Sequence, residues 1–442
     1  MTPCRFIAIL LGVVFSVLPL AAANAVEIRQ VTTPLGIKAW LVQDKSVPVV
    51  TMSFAFDGGT ASEPESQKGV TSLMAILLTD GAGALPARAF KQRSEDNEVW
   101  MGFGASVDRL SGTLRVLSAN RDVGFEQLRS ALMEPRFDDD MIEQRRAQAL
   151  SSLAQSEQRP GTVATRIMMK TMFAGHPYAA ETSGLRDSLK VLTAADIKAR
   201  AKALLSRTGL IVAAVGDIDE AEFARQLDRA FGGLPEGPVQ PDLPAWVPAP
   251  QGRTIAVERP VPQSTVQIAF PGIARDDPDW YAAFVMNHIL GGGGLTSRLA
   301  TEVREKRGLA YGASSGLRNY RKASLLVIST ATANEKVVDT LRVMRAEVAR
   351  LRADGVTDQE LADAKTYLAG ALPVSLDSST TIAALLYSMQ VDHLPRDYLD
   401  KRARIIGAVT AADVRRVARR LLRDDAALTV VVGKPVGLPA EP

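Results

Sequence analysis

Arg304 and Tyr311 stand seven residues apart in the stretch GGGGLTSRLATEVREKRGLAYGASSG, which runs from Gly291 to Gly316. Arginine presents a rigid fork of N–H donors and tyrosine a phenol. Both can donate to a carbonyl oxygen or to the oxyanion formed when it is attacked. Gly308 between them is a helix terminator, which puts Arg304 on a short amphipathic helix and Tyr311 at a strand entrance. Upstream, Gly291, Gly292, Gly293 and Gly294 lack Cβ atoms, so the backbone there can take φ > 0 or let another chain approach closely. A plain turn accounts for such a run as well as a peptide-binding wall does. The charged segment from Thr301 to Arg307 reads, by itself, as a solvated helix face with i,i+4 pairs.

Other reactive groups are few. The chain has three histidines, His176, His288 and His393, and its one cysteine is Cys4. No H-x-x-H, H-x-x-E-H or H-E-x-x-H occurs, whereas a tight protein zinc site takes three or four N or S ligands, some at close helical spacing. The glycine run lacks the Lys-Ser or Lys-Thr of a phosphate-binding loop. A hydrolase complete in itself is therefore not supported.

The elements that must position these groups are written twice. LTAADIKARAKALL (Leu192 to Leu205) returns 217 residues on as VTAADVRRVARRLL (Val409 to Leu422). At the same shift Leu210 to Gly216 falls on Ala427 to Gly433, and His176 on His393. That pairing makes the two histidines fold-bearing residues, with His288 on a helix face. Ser53 to Phe56 matches Gln267 to Phe270 at a shift of 214. So long a period means two copies of one domain, not a solenoid. Leu234 to Arg253 holds six prolines and reads as a stiff surface linker. In each copy an alternating strand (Val49 to Phe56; Thr265 to Phe270), read as half-buried, precedes a helix and further strands, clearest at Ala310 to Leu317 and Ala323 to Thr332. Long helices follow at Asp138 to Gln158, Glu335 to Leu351 and Asp358 to Leu372, with Asp138 and Thr357-Asp358 offering N-caps. The fold class is α+β: two homologous domains, each an antiparallel-rich sheet packed with helices. The division is a signal over 1–25, an N-terminal domain over 26–235, a Pro-rich linker over 236–253, and a C-terminal domain over 254–442.

The 442 residues are 46% apolar, enough for a large core, and 52 basic residues nearly balance 49 acidic ones. No basic stripe suggests a nucleic-acid partner. Arg5, the apolar run Phe6 to Leu20 and Ala23-Asn24-Ala25 have the order of a secretory signal cleaved after Ala25. The mature protein is then periplasmic or secreted, without cysteine and without a membrane span.

The Gly291–Gly316 segment closely resembles the C-terminal-domain signature of the pitrilysin-type metallopeptidases, which include insulin-degrading enzyme, mitochondrial processing peptidase and the bc1 core proteins. The resemblance extends to the duplicated domain, the linker and Gly175-His176-Pro177-Tyr178. It implies that Arg304 and Tyr311 bind a substrate carbonyl and help stabilise the tetrahedral intermediate. It also implies an inverted zinc motif on a first-domain helix, and this chain lacks one. The helix reads GVTSLMAILL, with Ser72 and Ile76 where the family has histidines and Ala75 where it has the general base. The distal ligand site reads Leu150-Ser151-Ser152-Leu153. None of these side chains holds zinc or lowers the pKa of a bound water.

The expectation is a non-catalytic, clamshell-half subunit of a periplasmic heteromeric zinc peptidase, with no cofactor of its own. A homologous partner carries the zinc, and Arg304 and Tyr311 act in trans. The resemblance implies that peptide joins a sheet edge. The alternative is a structural or peptide-binding protein comparable to the core proteins, in which Arg304 pairs with a neighbouring carboxylate and Tyr311 packs.

Overall fold

The computed structural model describes residues 27–237 and 242–438; the signal expected over 1–25 lies outside them. Two sheets carry the chain. The first has six strands in the order Arg29–Thr32, Lys38–Gln43, Ile211–Gly216, Val49–Asp57, Arg109–Leu117 and Trp100–Ala105. The second has five, in the order Ala310–Asn319, Ser324–Ala333, Gln263–Pro271, Leu428–Gly433 and Arg253–Glu258. Pairing is antiparallel except where Lys38–Gln43 meets Ile211–Gly216, and where Arg253–Glu258 meets Leu428–Gly433. The duplicated order and its one parallel pair recur in each half, as the 217-residue repeat requires.

The repeated TAAD segments open matching helices, Ala194–Leu204 and Ala411–Leu421. Each has a reciprocal capping box, Thr193 with Asp196 and Thr410 with Asp413. Thr357 and Glu360 make a third box at helix Asp358–Ser375. Asp138 differs. It precedes helix Asp139–Ser156 but caps nothing with its side chain, because Arg136 Nε holds its carboxylate at 2.7 Å.

The halves exchange a helix. Pro160–Met172, from the first half, lies on strands Gln263–Pro271 and Leu428–Gly433 of the second sheet; Ser379–Val391 lies on Ile211–Gly216 and Val49–Asp57 of the first. This explains why Val49–Asp57 does not alternate: its first eight residues are all buried. Val50, Met52, Phe54 and Phe56 fill the first-half core. On the opposite face the small Thr51 meets the exchanged helix, its hydroxyl 2.9 Å from that of Ser379. The reciprocal contact is Gln267 Nε2 donating to Thr165 Oγ1 at 3.0 Å.

Gly175-His176-Pro177-Tyr178 sits at the junction. The Tyr178 phenol is fully buried, donates to Asp108 Oδ1 at 2.6 Å and accepts from the Lys322 N–H. Burial, then the Asp108 carboxylate, push its pKa far up. His176 is buried, with Nε2 2.8 Å from the Pro244 carbonyl of the linker. The equivalence of His176 and His393 does not hold locally. His393 is exposed and left-handed (φ 54°) just past helix Ser379–Val391, whereas His176 is extended (φ −103°). Only His176 bears on the fold.

Candidate functional site

Ser297 caps a short helix, Arg298–Ala300, that widens into a π-helical turn, Thr301–Glu305. Leu299 and Val303 anchor it in the core. Arg298 fastens it from outside, with Nε and Nη2 at 2.6 and 2.7 Å from the Glu360 carboxylate. That ion pair, with backbone donation from Thr357, lowers the Glu360 pKa to about 2. Gly308 then takes φ 55°. Its N–H donates to the Arg304 carbonyl and the Leu309 N–H to that of Val303, which turns the chain into strand Ala310–Asn319.

Two local irregularities therefore flank Gly308. One is the π-turn, which carries Arg304. The other is a bulge: Ala310 pairs with Thr332 and Ala313 with Thr330, so Tyr311 and Gly312 together oppose one residue. A π-turn inserts a residue into a helix and a bulge inserts one into a strand; each re-aims a side chain, and both are common at functional sites. Here the result is an open pair. The Arg304 guanidinium lies 4.8 Å from the Tyr311 ring centroid, and Tyr311 is 87% exposed.

The charges nearby divide into two kinds. Glu302 is buried and takes Lys306 at 2.6 Å and Arg307 as well. The i,i+4 pairing and the exposed Lys306 and Arg307 fit the solvated-face reading, whereas Glu302 lies beneath them out of solvent. Among the described residues Arg304 has no carboxylate partner and no side-chain hydrogen bond, so its donors remain unpaired.

The glycines of the run have distinct reasons. A Cβ on Gly291 would sit 2.5 Å from the Ser315 backbone nitrogen, one on Gly292 2.6 Å from Asn287 Nδ2, and one on Gly293 3.1 Å from the His288 ring. Gly294 is left-handed, with φ 63°. Gly291 is buried, while Gly292 and Gly294 reach the surface. The sequence also spells G-x-S-x-G at Gly312 to Gly316, a nucleophile-elbow pattern. Ser314 lies inside the strand instead of on a strand-to-helix turn, so it is no elbow.

In the first half, the helix to which the resemblance assigns the zinc motif is Val70–Leu77, which packs on Asp139–Ser156. Its residues do not fit a metal. Ser72 Oγ is committed to the Thr182 carbonyl at 2.6 Å, Ala75 is buried and Ile76 exposed, and Ser151 and Ser152 are exposed. No group of three or more His, Cys, Asp or Glu side chains able to hold an ion occurs among the described residues. The two helices are joined instead by a bidentate ion pair, Arg145 to buried Asp80 at 2.6 and 2.7 Å. The helix start is fixed by buried Glu63, which accepts from the N–H groups of Gly69 and Thr71.

Residues 38–185 match the model described as insulinase (peptidase family M16), and residues 192–368 the one described as the peptidase M16 inactive domain. An uncharacterized zinc protease of Streptomyces coelicolor is 26% identical over 91% of this chain and 89% of its own length. A non-peptidase homolog from Helicobacter pylori is 25% identical over 89% and 90%. The crystal structure of a peptidase M16 inactive domain from Pseudomonas fluorescens superposes with a TM-score of 0.87 at 29% identity, over 94% of this chain and 99% of that one.

Proposed function

This chain belongs to the M16 (insulinase) family of peptidases, and we propose that it is a non-catalytic subunit of a heteromeric zinc metallopeptidase outside the cytoplasm. It is M16-like without a hydrolytic centre of its own, since Ser72, Ala75, Ile76, Ser151 and Ser152 offer no ligand set and no general base. A homologous partner subunit supplies the zinc and its activated water. Arg304 and Tyr311 reach across to the substrate peptide and donate to the carbonyl oxygen as it gains charge. Gly292 and Gly294 form the wall beside that peptide, over the packed Gly291 and Gly293.

The observation that carries this reading is the state of the pair. A purely structural member of the family has no use for an exposed phenol and an arginine without an anion. The structural alternative expects Arg304 on a carboxylate and Tyr311 packed; the geometry supports neither. An extracytoplasmic site follows from the signal-like N-terminus, and no helix among the described residues is long and apolar enough to cross a membrane.

The test is co-expression with a family member that has an intact zinc motif, followed by co-purification and a peptide-cleavage assay. A stable pair that cleaves, with this chain inert alone, is the expected result. Failure to associate, or cleavage by this chain alone with stoichiometric zinc, would sink the proposal.

A further inference from the structure

Two residues that the proposed function leaves unused, His288 and Tyr367, meet in an aromatic stack. The rings of His288, at the start of the π-helical turn His288–Gly292, and Tyr367, on helix Asp358–Ser375, lie 4.9 Å apart at 23°. Gly293 backs the imidazole so closely that a Cβ there would come within 3.1 and 3.2 Å of its Cε1 and Nε2. The His288 ring is thus fixed from one side while Tyr367 stays 62% exposed. Burial holds the imidazole pKa below its usual value.

The two chain segments that hold the rings carry no charge of their own, while across the fold Arg402 Nη1 donates to the Leu368 carbonyl beside Tyr367. Neither Ile289 to Ser297 nor Thr366 to Leu376 contains an acidic or basic residue. Both segments expose further apolar side chains, Leu295 after the glycine run and Val374 two helical turns from Tyr367 on the same face. The turn is also tied to the strand of the donor pair. It packs on Ala310–Asn319, Gly291 lies against the Ser315 backbone, and Ser315 Oγ donates to Asn287 Oδ1 at 2.8 Å.

The internal repeat gives the stack a meaning. At the 214-residue shift His288 corresponds to Met74, between Ser72 and Ile76. Helices Asp139–Ser156 and Asp358–Ser375 start 219 residues apart, so Tyr367 corresponds to Gln148, one turn before Ser151. The stack therefore joins the second-half counterparts of the two first-half helices that hold the emptied ligand positions. We propose that the His288–Tyr367 stack is a specificity-determining shelf that receives one large apolar or aromatic side chain of the peptide held by Arg304 and Tyr311. Aromatic faces select rings and apolar chains by area and edge-to-face contact, and a shelf without charge disfavours ionised side chains, which would lose hydration with nothing in return.

The inference rests on the reading of Arg304 and Tyr311 given above. Its test uses the co-purified assembly and peptides that differ only by Phe, Ala or Glu at one position, scanned along the peptide and compared by kcat/KM. One position should favour Phe over Ala by roughly tenfold and disfavour Glu further. Tyr367→Ala and His288→Ala should each bring the Phe-to-Ala ratio close to one. Arg304→Ala should depress every rate and leave the ratio intact. In parallel, a peptide carrying benzoylphenylalanine at the favoured position should photo-cross-link to residues 288–295 or 366–374 of the unsubstituted assembly. An unaltered ratio in Tyr367→Ala, no position favouring Phe, or cross-links confined elsewhere would overturn the shelf. Rates indifferent to Arg304→Ala would instead overturn the reading of the pair.

Discussion

Helix Val70–Leu77 and the turn-to-strand segment from Thr301 to Tyr311 lie in different halves of one duplicated chain, at places the repeat does not align, and they treat their polar positions in opposite ways. In the first, positions that could have been polar are closed: Ser72 is bonded to the Thr182 carbonyl, Ala75 is buried and Ile76 is aliphatic. The mechanical work of joining two helices has passed to Asp80 and Arg145. In the second, neighbouring charges are neutralised by pairing, as with Glu302, Lys306 and Arg307, while Arg304 and Tyr311 are left open on a π-turn and a bulge. A π-turn and a β-bulge both recur at functional sites, where they re-aim a side chain.

The comparison breaks most sharply at Arg304. In the active pair, Arg304→Ala removes one preorganised donor to the developing oxyanion. Turnover should fall by about 10²–10³, or about 2.7–4 kcal/mol, with little change in KM. A rise in KM at constant kcat would make Arg304 a ground-state binding residue.

The first-half replacement for a ligand set is tested by Asp80→Ala, which leaves Arg145 without its bidentate partner next to the core. A loss of about 3 kcal/mol in urea unfolding is expected. A loss below about 0.5 kcal/mol would mean that the bridge does not hold the helices together.

On the second-half side, Glu360 secures Arg298 and with it the base of the Arg304 turn. Its folded-state pKa lies near 2, below the ordinary 4.5, held there first by the Arg298 hydrogen bonds. This stabilisation is therefore complete above about pH 4.5 and is lost as pH falls through about 2. With about a third of the side chain exposed, solvent screening reduces it to roughly 2 kcal/mol. Relative to Glu360→Gln, the unsubstituted chain should lose its stability advantage across that window. Parallel pH profiles would remove Glu360 from the account.

The smallest effect should come from zinc itself. Added at micromolar concentration to the chain, it should shift the melting midpoint by less than about 1 °C, since the described residues form no cluster of three or more His, Cys, Asp or Glu that could hold it. A saturable shift at one equivalent would reveal ligands that Ser72 and its neighbours do not provide.

Much of this comparison was legible in the sequence. The duplication, the capped TAAD helices, the emptied ligand positions and the Arg304–Tyr311 spacing all depend on residue identity at fixed separation. The rest depends on tertiary contacts that no local pattern carries. The burial of both faces of Val49–Asp57 comes from a helix more than 300 residues away, so its alternation is absent. The bulge at Tyr311 and Gly312 arises from pairing with Ser324–Ala333. Asp138 has an N-cap residue's identity but loses the role to Arg136. His393 matches His176 in the repeat alignment, yet ends a helix in a left-handed conformation. The His288–Tyr367 stack joins residues 79 apart.

The central claim, that this chain lends Arg304 and Tyr311 to a partner's zinc site, is tested most directly by competition. A chain carrying both Arg304→Ala and Tyr311→Phe keeps the surfaces that assemble and lacks the donors. Titrated against the unsubstituted chain over a fixed amount of the zinc-bearing subunit, it should lower the cleavage rate in proportion to its share of the assembled pairs. A rate that stays constant while the substituted chain is incorporated would contradict the claim.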